Sequence, residues 1–178
     1  MIKRIIVWLI LFSGIALANP PGTYQPLLLN GLCSPVYVTG DRTASIATST
    51  TVGIASGTIS NLVDGVIAAN STDAVAFSAA GTSGLEIKFN FTTAILITEA
   101  KWYQDLTTSI GVWRWQGSQD GASWTNIGSS FTLGGSTTQT QTELNGNTTL
   151  FIYYRLLGVS GSTSSAEWNE EIQFKQCR

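Results

Sequence analysis

The chain has 178 residues, a formal net charge of −2, and no histidine. It contains no basic run, which argues against nucleic acid and anionic membrane as partners, and the missing imidazole removes Ser-His-Asp and Cys-His catalysis and histidine-held zinc. Charged residues make up only 11% of the chain, so Thr, Ser, Gly and Asn must supply the polar surface, a balance suited to an extracellular or virion-exposed protein.

Residues 1–18 (MIKRIIVWLILFSGIALA) begin with Lys3 and Arg4, continue as an apolar run and end on small residues. This is the layout of a secretory signal peptide. The apolar run is short for a membrane span, which takes about 20 residues; an uncleaved anchor is the alternative. Residues 19–32 hold Pro20, Pro21, Gly22 and the Asn30-Gly31 pair and read as an extended lead-in. The folded domain is expected over residues 33–178. The only two cysteines, Cys33 and Cys177, sit at its two ends. An oxidising compartment favours a disulfide between them, closing a loop of about 145 residues, with two free thiols as the alternative.

Residues 41–58 are rich in Ser, Thr, Ala and Gly and predict one or two weak strands, or a mobile arm. Residues 61–77 read as a loop, with a turn at Asp64-Gly65 and oxygen-bearing side chains clustered at Asn70, Ser71, Thr72 and Asp73. Leu85, Ile87, Phe89 and Phe91 then alternate with Glu86, Lys88 and Asn90, which predicts a half-buried strand. A second strand is expected over 94–104, with Ala100 and Trp102 on its inner face and a polar loop following at 105–111.

The stretch 111–128 (GVWRWQGSQDGASWTNIG) reads as a hairpin, with Trp113 and Trp115 on one face, Arg114 and Gln116 on the other, and a tight turn over GSQDG. Its tryptophans carry too much apolar area for a solvent loop and point to the core, with part of a ligand face as the alternative. Further strands are expected at 131–133, 137–144, 150–157 and 168–174. No sustained helical period follows the first 18 residues, and turns recur about every 8–12 residues, as in an antiparallel sandwich or barrel. Arg155 lies in an aromatic strand and calls for an ion pair with Glu86, Glu170 or Glu171. Glu170 and Glu171 are adjacent, so a regular strand would send them to opposite faces, unsuited to glycoside hydrolysis. Asn70, Asn90 and Asn147 each begin an N-x-[ST] sequon.

Several features in order carry a family likeness: Cys33, Val63-Asp64-Gly65, Phe77, L-x-I-x-F at 85–89, G-S-x-D-G-x-S-W at 117–124, Y-Y-R-L at 153–156, E-I-x-F at 171–174, and Cys177. Together they resemble the discoidin, or coagulation factor V/VIII type C, domains and the related galactose-binding-like carbohydrate-binding modules. The likeness spans 33–177. It implies an all-β, eight-stranded antiparallel jelly-roll sandwich with its termini joined by the disulfide, loops for a ligand gathered at one end, and no catalysis.

The resemblance also implies a structural calcium ion (Ca2+), held by the Asp-Gly loop and a Glu of the last strand; the matching residues are Asp64, Asp73 and Glu171. Here Val66 follows Asp64-Gly65 and the aromatic Phe77 comes after a longer loop, and the alternative for Asp64 is a hydrogen-bonded Asx turn. Sugar binding requires an aromatic face and a few planar polar groups. Asn70, Asp73, Tyr103, Gln104, Asp105 and Trp168 are the candidates. The function expected is a secreted module that recognises glycans or glycoproteins on a cell surface. The alternative is a structural or adhesive surface or virion fibre subunit, self-assembling through the same fold.

Overall fold

The computed structural model describes residues 34–177. Residues 1–18, the 19–32 lead-in and Cys33 lie outside the described residues, as does the Cys33 side of the expected disulfide. The described residues form ten strands: β1 (Val36–Val38), β2 (Ile46–Thr50), β3 (Ile54–Ser56), β4 (Ala76–Phe77), β5 (Glu86–Gln104), β6 (Ser109–Ser118), β7 (Thr125–Gly134), β8 (Thr138–Gln141), β9 (Phe151–Ser160) and β10 (Asn169–Cys177). Short 3₁₀ turns occupy Ile59–Val63 and Glu143–Gly146. Among the described residues no helix is long and apolar enough to cross a membrane.

Eight strands make the sandwich, all pairings being antiparallel; β3 and β4 form a separate two-stranded sheet. One layer runs β1–β10–β5–β8 and the other β2–β5–β9–β6–β7. The nineteen-residue strand β5 belongs to both. Its first part pairs with β2 and β9, and its last part with β10 and β8. The exposed Thr92, Thr93 and Ala94 mark the passage between layers, where pairing with β9 slips between Asn90 and Ile95. The alternation read as two strands is thus one, with Ile87, Phe89, Phe91, Ile95, Ile97, Ala100 and Trp102 all buried.

Between the layers lies an aromatic cluster. Phe89 and Phe174 meet edge to face at 5.1 Å, Phe91 meets Phe174 at 5.5 Å and Tyr154 at 5.8 Å, and Trp115 lies 6.1 Å from both Phe89 and Phe174. Such contacts add to area burial because ring edges and faces carry opposite partial charge. Trp113 and Trp115 are fully buried, as their alternation requires. Trp124 is different: it lies half-buried on the outer surface, where the Arg155 guanidinium sits 4.0 Å from its ring centre. Arg155 also pairs with Glu86, one of its three expected partners. The second arm of the expected hairpin and the strand expected at 131–133 are one strand, β7, with Gly128 at φ +64° inside it. Asn70 and Asn90 are exposed, whereas Asn147 is buried and donates through Nδ2 to Ile97 O and Tyr154 Oη.

The β6–β7 turn is held by one carboxylate. Oδ1 of Asp120 accepts from Ser123 N at 2.7 Å, Ala122 N at 2.8 Å and Ser118 Oγ at 3.0 Å. These bonds, the backbone ones first, hold its pKa down to about 2. A carboxylate depressed in the folded state adds stability above its unfolded pKa of about 4 and loses it as pH falls. Asp120→Asn is therefore expected to lower the unfolding midpoint near neutral pH, and the gap to wild type should close between pH about 4 and about 2. Denaturant titrations across that range check it; a gap independent of pH would mean the charge is immaterial to the turn.

Candidate functional site

Three connections meet at the end of the sandwich where β5 finishes and β10 begins: 64–75, 105–108 and 161–168. They are joined by backbone. Val75 and Asn169 exchange both of their N–H···O bonds at 2.9 Å. Asp105 N donates to Trp168 O at 3.1 Å, and Trp168 N returns to Asp105 Oδ1 at 2.7 Å. Asp105 and Trp168, 63 positions apart, thus form a closed clamp, which leaves the Trp168 ring half-buried at the loop junction.

The other sugar-site candidates have different surroundings. Tyr103 lies in β5, with its hydroxyl donating to Gln173 Oε1 at 3.1 Å, so it belongs to the outer sheet surface and not to a loop. Gln104 is buried and its Nε2 ties down the next loop through Leu106 O at 2.6 Å and Thr108 O at 2.8 Å; it is a strut for the 105–108 loop. Asn70 and Asp73 are on the 64–75 connection but turn to each other. Asn70 Oδ1 accepts from the N–H groups of Thr72 and Asp73, and its Nδ2 donates to Asp73 Oδ2 at 3.1 Å.

The calcium candidates do not converge. Asp64 Oδ1 accepts from Val66 N at 2.9 Å, the Asx turn, and its Oδ2 takes Asn61 Nδ2 at 3.0 Å. Glu171 is fully buried, accepts from Gly65 N at 2.9 Å, and forms an ion pair with the buried Arg42. Burial pulls the Arg42 guanidinium down to about 10 against the opposing pull of Asp64 and Asp41, so it keeps its charge at neutral pH. Among the described residues no group of three or more His, Cys, Asp or Glu is placed to hold a metal ion.

Four residues of this end have environments that the sequence does not foretell. Arg42 sits in a Ser/Thr-rich stretch that reads as solvated, and nothing local announces a partner 129 positions away. Glu170 is the extra residue of a β-bulge between Asn169 and Glu171. The bulge lets both neighbouring glutamates be buried, contrary to a regular strand. Burial and then the Asp105 charge raise the Glu170 carboxyl above its ordinary range. Glu167 and Asn169 are fully buried, and both Glu167 carboxylate oxygens and Asn169 Oδ1 lack a hydrogen-bond partner among the described residues. Their signal is polarity beside Trp168, too common in loops to single them out.

No protein-family model and no curated protein matches the chain in sequence. Solved structures do match in fold. A family 32 carbohydrate-binding module of AlyQ, in complex with 4,5-unsaturated mannuronic acid, superposes with a TM-score of 0.54 at 20% identity, covering 77% of this chain and 97% of that one. The C-terminal domain of a chitobiase from Bacteroides fragilis gives 0.58 at 15% identity, over 79% and 97%. The family 32 module of Clostridium perfringens NanJ, in complex with galactose, gives 0.56 at 12% identity, over 76% and 97%. The discoidin-like, galactose-binding-like sandwich that the sequence resembles is the fold of this chain.

Proposed function

We propose that this protein is a noncatalytic carbohydrate-binding module, secreted, that takes a cell-surface glycan at the loop end of its sandwich. Trp168 supplies the stacking surface, and the 64–75 and 105–108 loops flank it. The observation that carries this reading is the Asp105–Trp168 clamp. A sugar ring presents an apolar C–H patch that an aromatic face can cover. A ring whose backbone is fixed beforehand loses little freedom on binding, which leaves more of the contact energy as affinity. Asp105 holds a carboxylate against the Trp168 backbone, and Glu170 lies near enough to Asp105 to feel its charge. The structural neighbours solved with bound sugars support the same reading. The Cys33–Cys177 bridge belongs to it as well, in an oxidising compartment.

The test is a glycan array followed by calorimetry on the hits. Trp168→Ala is expected to weaken binding by about tenfold or more, and Asp105→Ala, which opens the clamp, by less. Tyr103→Ala, on the outer sheet surface, is expected to leave binding unchanged. Unaltered affinity in Trp168→Ala would remove the loop end from the reading. One observation favours the adhesive alternative: Val66, Ile67 and Leu106 are exposed on the same loops at 40%, 51% and 40%. A stable assembly by light scattering, with no array signal, decides for that alternative.

A further inference from the structure

The residues that resemble a calcium site have all been given donors from within the chain. We propose that Arg42 and Asn61 are internal substitutes for a metal ion: the guanidinium supplies the positive charge and the amide the bridging donor, so the 58–75 segment is fixed without a divalent cation.

A calcium ion collects six to eight oxygens at about 2.3–2.6 Å. The oxygens on offer here are those of Asp64, Asp73 and Glu171 and the carbonyl of Thr72. Asn61 Nδ2 donates to Thr72 O at 2.6 Å and to Asp64 Oδ2 at 3.0 Å, joining two acceptors of the loop as an ion would. Asp64 Oδ1 is held by Val66 N and Asp73 Oδ2 by Asn70 Nδ2. Glu171 has Gly65 N on one oxygen and the Arg42 guanidinium on the other.

Arg42 cannot step aside for an ion. Its side chain is 4% exposed. Its Nε donates to Gly40 O at 3.1 Å and its Nη1 to Ile172 O at 2.8 Å, while its own N–H bonds Val63 O at 2.8 Å. A cation entering beside Glu171 would meet this fixed positive charge in a low-dielectric interior, where repulsion is weakly screened. Space is closed as well. A Cβ built on Gly65, at φ +84°, would lie 2.3 Å from the Gly40 carbonyl carbon and 2.7 Å from Asp41 N, so the 40–42 and 64–65 backbones are already in contact.

Thermal melts in chelator and in millimolar calcium, on wild type, Glu171→Gln, Arg42→Met and the double variant, test this. Wild type is expected to melt at the same temperature in both media, and so is Glu171→Gln. Arg42→Met should melt well below the double variant, since the single change alone strands a buried carboxylate. A calcium-induced rise in the wild-type midpoint that Glu171→Gln abolishes would overturn the proposal, as would an Arg42→Met variant as stable as the double. Should Arg42→Met fail to fold, the first comparison still decides: matched midpoints support the substitution and a Glu171-dependent rise refutes it.

Discussion

Trp115→Ala is expected to lower the unfolding free energy by about 3–5 kcal/mol. The side chain is fully buried and touches the centre of the aromatic cluster, with Phe89 and Phe174 each 6.1 Å away and the latter in an edge-on arrangement. Truncation removes that area and leaves a cavity that two sheets, fixed by their ladders, cannot close. A polar loss adds to it. Trp115 Nε1 donates to Gln141 Oε1 at 2.8 Å, and Gln141 is itself 1% exposed with its Nε2 lacking a partner among the described residues. The variant therefore strands a whole buried amide. Trp115→Phe keeps a six-membered ring but gives up the pyrrole part of the indole and the Nε1 bond, so it should cost less than the alanine variant. Urea unfolding of the pair checks both; a loss under about 1 kcal/mol for the alanine variant would mean that the hairpin is not part of the core.

Gly158→Ala is expected to cost about 3 kcal/mol, the upper end for an overpacked site, although it adds only one carbon. Segment 82–85 lies flat on β9 at this point: Gly84 N donates to Gly158 O at 3.0 Å and Gly158 N to Leu85 O at 2.8 Å. A Cβ on Gly158 would come within 1.9 Å of Thr82 O and 2.8 Å of Thr82 C. A long side chain could rotate away, but a backbone carbonyl cannot, so the segment must lift. Thr82 is fully buried, and its hydroxyl and N–H bind Ser160 O and Gly161 O at 2.6 and 3.0 Å, so the displacement reaches the 161–168 loop and Trp168. Denaturant unfolding together with glycan titration should show both a lowered midpoint and weakened binding. A variant with wild-type stability would contradict the packing of 82–85 on β9.

What could be read from the sequence was what repeats along it. Alternation placed Ile87, Phe89, Trp113 and Trp115 inward, and the motifs from Val63 to Phe174 pointed to a fold that the structure has. The ligand end was read less well, because its parts meet only after folding. Asp105 and Trp168 were both singled out, yet for their residue types; the clamp between them is a product of β5–β10 register. Tyr103 and Gln104 read as the end of a strand leading into a ligand loop, and β5 does end at Gln104, but their side chains are engaged by Gln173 and by the 105–108 backbone. Thr92 and Thr93 suggested a break through polarity without a turn. Glu171 was identified by likeness, and its partner Arg42 had no local pattern to betray it.

β5 carries a consequence for how the domain comes apart. Most two-layer sandwiches can in principle open like a book, one leaf peeling while the other keeps its ladder. Here a single strand is bound into both leaves, so there is no spine to open along without tearing β5 itself near Thr92–Ala94. Loss of either leaf exposes a raw edge along half of that strand and forfeits the aromatic cluster between them. The two layers therefore share one fate, and between the fraying of the surface loops and complete unfolding the domain has no stable resting place.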